Sequence, residues 1–295
     1  MEVAVTGGSG FLGAHLVRAL VARGDRVRVP VRTQVAAARV RGLGARPVFD
    51  ESWSRGLALV FHTAERTTGP HRALYEANVT ATARLLTAVG GARLVHVSSD
   101  AAVQTGAPLR QATECAPLQP DSPSAYGASK ARAEQLVHAA DLDAVVVRPR
   151  LLWGPGDPVL LPGLLDAVRH NRFAWVDGGR HLTDTTHVAN AVHGLLLAAD
   201  RGHRGETYFV TDDDPVAYRH FVADLLAAEG LAPEPRTLHP AQARTLALGR
   251  DPLAHWQAAH ECTLDLSKSR AHLGYRPRQS RPQALSGLRS FNTAA

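Results

Sequence analysis

The sequence Thr6-Gly7-Gly8-Ser9-Gly10-Phe11-Leu12-Gly13 directly follows a short apolar run at residues 2–5. Apolar side chains then recur at helical spacing through residues 14–20, so the local order is strand, glycine turn, helix. In that order Gly7 permits the tight turn, Gly10 permits close approach of a pyrophosphate to the backbone, and Gly13 permits close packing of helix on strand. The stretch therefore predicts a dinucleotide-binding turn, with Phe11 and Leu12 as further cofactor contacts.

Strand-like and helix-like patterns alternate after this turn. Buried-looking apolar runs lie at residues 26–31, 57–61, 93–97 and 144–149, and helical patterns lie between several of them. This alternation predicts an α/β fold, a Rossmann-type doubly wound parallel sheet with right-handed crossovers.

The end of the second predicted strand distinguishes between the two nicotinamide cofactors. An NAD-selective site places Asp or Glu there, about 20 residues beyond the glycines, whereas an arginine favours the extra phosphate of NADP. Val31-Arg32-Thr33 contains no acid, so Arg32 predicts NADP(H), with NAD(H) less favoured. Alternatively, Arg32 is one surface arginine among the 31 that remain when two lysines are subtracted from 33 basic residues.

The composition changes near residue 155, where Gly154-Pro155-Gly156 breaks the last apolar run. We predict that residues 1–155 form an NADP-binding Rossmann domain. Residues 156–295 are predicted to form a smaller, mainly helical C-terminal substrate lobe, from which a late strand at 207–210 and nearby helices return to the first domain. Ligand sites form where such elements meet, so the lobe is expected to cover the crevice.

Two predicted strands end in residues suited to a ligand site, because the carboxyl ends of parallel strands face the ligand in such a sheet. One of them ends in His62, Thr63 and Ala64, which leave space for a cofactor to lie across the strand end. We interpret His62 as a packing or hydrogen-bonding residue rather than a catalyst. Ser98 and Ser99 end the other. A hydroxyl there can orient a substrate carbonyl, although serines after strands are often turn formers.

Tyr126 and Lys130 lie four residues apart in a predicted helix, so both side chains fall on one helical face. A phenol beside an ammonium suits a proton donor, because the positive charge makes the phenol more acidic. Lysine is rare in this chain, with Lys268 as the only other one. We predict that the pair is a proton-transfer centre.

Charge and composition argue against several other classes of protein. The net charge of +6 does not indicate nucleic-acid binding, because the arginines are scattered and not interleaved with aromatic residues. No apolar run approaches the ~18 residues of a membrane span and no cleavable leader precedes the first strand, so we expect a cytoplasmic protein without membrane contact. Cys115 and Cys262 lack metal-ligand spacing, so no metal site is predicted.

Taken together, these motifs resemble the extended short-chain dehydrogenase/reductases, the NAD(P)-dependent epimerase/dehydratase group, over nearly the whole chain. Besides the glycine turn, the likeness rests on Asn78-Val79-Thr80, Val97-Ser98-Ser99, Tyr126-Gly127-Ala128-Ser129-Lys130, Arg148-Pro149 and residues 184–191. Within the group the sequence is most similar to the 3β-hydroxysteroid dehydrogenase and dihydroflavonol reductase branches.

The resemblance implies catalytic roles for named residues. Tyr126 would be the acid/base and Lys130 its partner and a ribose ligand. Ser99 would orient the carbonyl, with Ser98 less favoured.

The resemblance also implies contacts to the cofactor. Asp50 would contact the adenine, residues 62–64 would line the cofactor, and Pro149 would pack by the nicotinamide. A homodimer would be typical of the group.

One departure from the group narrows the expected reaction. Sugar-nucleotide 4,6-dehydratases carry Asp-Glu after the hydroxyl, whereas Asp100 is followed here by Ala101, which disfavours a dehydratase and leaves the role of Asp100 open. We expect an NADPH-dependent reductase of a ketone or aldehyde on a hydrophobic or polycyclic small molecule, of the kind made in secondary metabolism. Two alternatives stay open: a nucleotide-sugar epimerase or 4-ketoreductase, and a catalytically idle NADP-binding regulator.

Overall fold

The computed structural model describes residues 1–246 and 251–293. Within these ranges the strands, in chain order, are β1 (Glu2–Thr6), β2 (Arg26–Pro30), β3 (Arg46–Val48), β4 (Leu59–His62), β5 (Arg93–Val97), β6 (Leu109–Ala112), β7 (Ala144–Pro149), β8 (Leu152–Trp153), β9 (Trp175–Val176), β10 (Leu182–Thr183), β11 (Thr186–His187), β12 (Thr207–Val210), β13 (Val216–Ala217), β14 (Thr237–Leu238) and β15 (Cys262–Leu264).

The α-helices in the same ranges are α1 (Phe11–Ala22), α2 (Gln34–Gly42), α3 (His71–Tyr75), α4 (Ala81–Ala88), α5 (Ala125–Ala139), α6 (Leu160–Arg169), α7 (Val188–Arg201), α8 (Tyr218–Ala228), α9 (Pro240–Leu246), α10 (Leu253–Ala259) and α11 (Arg281–Thr293). Short 3₁₀ turns cover Glu51–Ser54, Asp100–Val103 and Asp177–Gly179, and π-helical turns cover Glu76–Thr80 and Ser269–Leu273.

The main sheet has the strand order β3-β2-β1-β4-β5-β7-β12, and all neighbouring strands in it are parallel. The chain runs outward from β1 to β3 and then returns to β4 on the other side of β1. This order confirms the predicted doubly wound parallel sheet. The reversal between β1 and β4 opens a crevice at their carboxyl ends, where ligands bind in such sheets.

Alternate residues of the central strands enter cores on opposite faces of the sheet, because successive side chains of a strand point in opposite directions. In β5, Val95 joins the core that contains Leu16 of α1, whereas Leu94 joins the core that contains Val137 of α5. Both faces are therefore covered by helices. This covering explains why β7 is apolar almost throughout and buried at every position.

The chain after residue 155 returns to this sheet. β12 pairs with β7, with Thr207 opposite Val146 and Val210 opposite Pro149. Helices α6 and α8 enclose a separate core around Trp153, Trp175 and Phe221. The division of the chain into two parts at residue 155 stays a prediction.

Residues 109–112 form a strand within a stretch that is otherwise rich in Pro, Gly and polar residues. In β6, Leu109 lies opposite Cys262 of β15, and the two strands belong to a four-stranded sheet with β10 and β13. The pairing partner of β6 is distant along the chain, so no local pattern indicates it.

Three further observations concern apolar helices, possible metal ligands and the cysteines. No helix in residues 1–246 or 251–293 combines the length and apolarity of a membrane span. Across those residues, no group of three or more His, Cys, Asp or Glu side chains is placed to hold a metal ion. Cys115 is exposed, Cys262 is buried, and both are free thiols.

Candidate active site

The glycine turn between β1 and α1 is packed so closely that two positions have no space for a side chain. A Cβ on Gly7, whose φ is +74°, would lie 2.6 Å from the backbone nitrogen of Ala64. A Cβ on Gly13 would lie 2.2 Å from the carbonyl oxygen of Gly7. Gly7 thus lets the turn approach the end of β4, and Gly13 lets α1 pack onto β1.

The start of α1 presents its backbone N–H groups without a side-chain cap. Gly10 precedes the helix, and the first turn contains no acidic residue. Phe11 is half-buried and Leu12 is buried at this end. An uncapped helix start with its positive dipole end attracts anions. The uncapped helix start and the glycine turn therefore fit the pyrophosphate of a dinucleotide.

His62 lies in the interior at the end of β4. Its Nδ1 is 2.6 Å from Thr6 Oγ1 and its Nε2 is 2.9 Å from Thr82 Oγ1, so both ring nitrogens are bonded within the protein. Burial, with the charge of Lys130, lowers the pKa of His62 to about 3. A neutral ring with both nitrogens occupied suits the interpretation of His62 as a hydrogen-bonding residue. The neighbouring Thr63 donates its hydroxyl to Thr6 O at 2.8 Å.

Arg32 lies two residues beyond Pro30, the last residue of β2. Its side chain is exposed, and within residues 1–246 and 251–293 it makes neither a hydrogen bond nor an ion pair. Thr33 directly after it caps α2. An exposed guanidinium without a partner is available to an anionic ligand.

Asp50 and Pro149 occupy different surroundings. Asp50 is exposed, and its carboxylate accepts a hydrogen bond from Ser52 N at 2.9 Å; hydrogen bonds from Ser52 lower its pKa. Pro149 is buried at the end of β7, opposite Val210. The adenine and nicotinamide contacts expected of them stay predictions.

Helix α5 brings Tyr126 and Lys130 to the turn after β5. Ser124 caps the helix by accepting from Gly127 N at 3.1 Å. The helix packs so closely that a Cβ on Gly127 would lie 2.8 Å from Ala101 O. Lys130 donates to Val97 O at 2.7 Å, next to the serines. The structure therefore groups Ser99, Tyr126 and Lys130 at one edge of the sheet.

The two serines after β5 have different partners. Ser98 donates to Glu134 Oε2 at 2.7 Å in the interior. Ser99 accepts from Ala101 N at 3.1 Å, and its hydroxyl lowers the pKa of the Tyr126 phenol. Ser99 is therefore the hydroxyl that stands beside the phenol.

Asp100 forms a buried ion pair and is not a free acid. Its Oδ2 accepts from Arg150 Nη1 and from Gln104 Nε2, and the side chains of Asp100 and Arg150 are 2% and 0% exposed. Its Oδ1 accepts from Ser99 Oγ at 3.2 Å. Asp100 thus links the hydroxyl at the site to the charge of Arg150.

Two residues for which the sequence predicts no role also belong to this site. Glu65, in the loop after β4, accepts hydrogen bonds at Oε2 from Tyr126 Oη (3.1 Å) and Lys130 Nζ (2.9 Å). Asn78 is buried in the π-helical turn and hydrogen-bonds both Arg66 and Ser129. Glu65 lies in the polar loop that follows β4, and a carboxylate in such a loop does not by itself indicate a site residue. Asn78 lies in a motif, but its partner Ser129 is 51 residues away in the sequence, so no local pattern indicates their contact.

The pKa of the Tyr126 phenol is shifted upward, whereas the sequence leads us to expect a downward shift. Burial raises its pKa well above the ordinary value, and the charge of Glu65 raises it further, while the hydrogen bond from Ser99 lowers it. The net shift of the pKa is therefore upward, chiefly because the phenol is buried and also because Glu65 adds a negative charge beside Lys130; the acidifying effect expected of Lys130 stays a prediction.

Comparisons with known proteins identify related chains. The family model described as the NAD dependent epimerase/dehydratase family matches residues 3–211. The chain is similar to a 4-hydroxy-2-methyl-3-oxo-4-farnesyl-3,4-dihydroquinoline-1-oxide ketoreductase of Stigmatella aurantiaca, with 42% identity covering 100% of this chain and 97% of that protein. It is also similar to a 2-alkyl-3-oxoalkanoate reductase of Stenotrophomonas maltophilia, with 31% identity covering 100% of both.

A solved structure shows the same fold. The dTDP-glucose 4,6-dehydratase DesIV of Streptomyces venezuelae, determined with NAD and TYD bound, superimposes with a TM-score of 0.80. The match covers 100% of this chain and 97% of DesIV, at 23% identity. At that identity the likeness concerns the fold.

Proposed function

Because the chain belongs to the NAD-dependent epimerase/dehydratase family and is an oxidoreductase, we propose that it is an NADPH-dependent reductase of a ketone on a hydrophobic small molecule. The observation that carries the proposal is the grouping of Ser99, Tyr126 and Lys130 beside the crevice between β1 and β4. A hydroxyl and a neutral phenol can orient a carbonyl oxygen and protonate it, and an ammonium beside them adds positive charge.

Each of these side chains has a distinct part in the reaction. A bound nicotinamide cofactor supplies the hydride. Ser99 orients the carbonyl oxygen, and Tyr126 donates its phenolic proton to that oxygen as negative charge develops there. Lys130, held by Val97 O, would bind the cofactor ribose. Gly7, Gly10 and Gly13 with the start of α1 would hold the pyrophosphate.

The surroundings of Asp100 support reduction over dehydration. Asp100 is buried against Arg150, and Ala101 follows it. Neither position offers a second free acid, so Tyr126 is the proton donor that stands next to Ser99. A single donor is sufficient to complete the reduction of a carbonyl.

The names of both relatives support a hydrophobic ketone as substrate. Each name specifies an oxo group on a molecule that carries a farnesyl or alkyl chain. The two proteins match this chain over its full length. We extend to this chain the class of substrate and not the individual compound.

A substrate panel tests the proposed function. We expect the purified protein to oxidise NADPH with apolar ring ketones and 3-oxoalkanoates, and not with 4-keto-sugar nucleotides, as followed by NADPH absorbance. Release of tightly held NAD on denaturation, with turnover of sugar nucleotides, would instead identify an epimerase. NADPH binding without turnover of any carbonyl would identify a regulator.

Arg32 is proposed to select NADP(H) over NAD(H). Arg32→Ala is expected to weaken NADPH binding by about 10- to 100-fold, because a hydrogen bond to a charged group contributes about 1.5–3 kcal/mol. NADH binding should not change, since NADH lacks the 2′-phosphate. Calorimetric Kd values for both cofactors measure the effect. Arg41→Ala, another exposed arginine that follows in α2, is the matched control; equal weakening of both cofactors by Arg32→Ala would contradict the assignment.

A further inference from the structure

Glu65 is a charged residue of the site to which the proposed mechanism gives no role. One of its two carboxylate oxygens, Oε2, accepts hydrogen bonds from both Tyr126 Oη at 3.1 Å and Lys130 Nζ at 2.9 Å. The Lys130 side chain is 3% exposed, whereas that of Glu65 is 27% exposed. One carboxylate oxygen therefore bridges the proton donor and its buried cation from the solvent side.

The position of Glu65 is fixed by its neighbour in the chain. Asn78 accepts from Arg66 N at 2.8 Å and donates to Arg66 O at 2.9 Å. The same amide donates to Ser129 Oγ at 2.9 Å, in the residue before Lys130. Asn78 is 2% exposed, so these hydrogen bonds are shielded from water. The backbone next to Glu65 is thus tied to the helix that carries Tyr126 and Lys130.

We propose that Glu65 is a positioning residue for proton transfer, whose carboxylate offsets the charge of Lys130 and holds the phenol of Tyr126 in its neutral, proton-carrying form. The proposal rests on the proposed function, because a reductase uses Tyr126 as a proton donor. A phenol beside an uncompensated ammonium would ionise more readily and would be a donor over a narrower range of pH.

The charges around the phenol come from several elements. Glu65 approaches from the loop after β4, and Asp100 from the turn after β5. Lys130 lies one turn later in α5, and Asp251 Oδ2 is 3.4 Å from Tyr126 N. Asp100 is paired with Arg150, and Asp251 contacts the backbone of Tyr126. Glu65 is therefore the carboxylate that contacts both the phenol and Lys130.

Two histidines lie behind Lys130, on the sheet side. His62 and His96 are fully buried, and burial lowers the pKa of both, assisted by the charge of Lys130. Both rings are neutral near pH 7 and contribute no charge that replaces Glu65. Burial also raises the pKa of Tyr126, and Glu65 adds to this effect.

The ionisation of Tyr126 can be measured without cofactor or substrate. The full-length protein is labelled with carbon-13 at Cζ of tyrosine, and the Tyr126 signal, assigned with Tyr126→Phe, is followed by NMR against pH. We expect the signal in Glu65→Gln to change to the phenolate form at lower pH than in the wild type. Glu65→Ala, which removes the charge with a different side chain, should move it in the same direction.

Glu206→Gln is the matched control, since Glu206 pairs with Lys268, the other lysine, away from the site. Its Tyr126 signal should follow that of the wild type. The proposal is overturned if Tyr126 responds identically in the wild type, Glu65→Gln and Glu65→Ala across the pH range in which circular dichroism shows all three folded.

The reductase assay gives a second readout. With any ketone that is turned over, the alkaline decline of kcat/KM should move to lower pH in Glu65→Gln and stay in place in Glu65→Asp, which keeps the charge. An unmoved decline in Glu65→Gln counts against the proposal. Failure of every ketone would refute the proposed function, while the NMR titration would still decide the role of Glu65.

Discussion

Replacing Tyr126 with Phe lowers carbonyl-dependent NADPH oxidation by about 10²- to 10⁴-fold, the range typical of a lost general acid. The substitution removes the phenolic oxygen, which hydrogen-bonds Glu65, and keeps the ring. The carbonyl oxygen then receives no proton as hydride arrives, so kcat falls. The Kd for NADPH should not change, because the glycine turn and Lys130 are intact. Steady-state rates and a binding titration measure the two quantities.

Tyr75→Phe provides the matched control for this experiment. Tyr75 ends α3, is 38% exposed, and should keep the full rate after losing its hydroxyl. Wild-type turnover by Tyr126→Phe would exclude Tyr126 as the proton donor. If Tyr126→Phe weakened NADPH binding and left kcat unchanged, Tyr126 would be a cofactor ligand and not the proton donor.

Arg148→Met reduces the free energy of unfolding by about 3–5 kcal/mol, because it leaves a buried carboxylate without its cation. Arg148 in β7 donates to both oxygens of Glu134 at 3.1 Å through Nε, and the two side chains are 3% and 0% exposed. Urea unfolding at neutral pH measures the loss. Adding Glu134→Leu should recover most of the stability, since the double variant buries no unpaired charge.

The contribution of the Glu134–Arg148 pair to the free energy of unfolding depends on pH, and the pKa of Glu134 gives the direction of this dependence. Burial would raise the pKa of Glu134, but hydrogen bonds from His138, Arg148 and Ser98 and the charge of Arg148 lower it to about 2. The pKa of Glu134 is lower in the folded protein than the 4.5 of the unfolded chain. Its stabilising contribution is therefore complete above pH 4.5 and is lost as the pH falls through about 2. The double variant should therefore lose less stability than the wild type between pH 4.5 and 2.

Arg204→Met is the control for the burial argument. Arg204 pairs with Asp141 at the surface, where the side chains are 60% and 98% exposed. Its loss should cost less than about 1 kcal/mol, as for other exposed pairs. An equal cost for Arg148→Met and Arg204→Met would contradict the proposed importance of burial.

Local patterns are sufficient to predict most of the main sheet. The glycine turn and the apolar runs each identify an element from a few adjacent residues, and the alternation of elements then determines the fold class. The strand at residues 207–210 is predicted in the same way. The pairing of β6 with β15 is not predictable from such patterns, because the two strands are far apart in the sequence.

The candidate site is only partly readable from the sequence. Tyr126 and Lys130 are identified because helical spacing places them on one face. Glu65 lies in a polar loop, where a carboxylate is indistinguishable from a solvated one until the fold places it against Tyr126. Asp100 is similarly ambiguous, because its partner Arg150 follows a different strand.

The place of β12 in the sheet has a consequence for protein synthesis. A ribosome releases residues 144–149 well before 207–210, so in the nascent chain β7 pairs with β5 on one edge and has no partner on the other. Val145, Val146 and Val147 there are buried in the finished protein. Open apolar strand edges recruit other chains. The half-made protein is therefore at its most aggregation-prone during translation of the segment that joins β7 to β12, and chaperone protection is most useful in that interval.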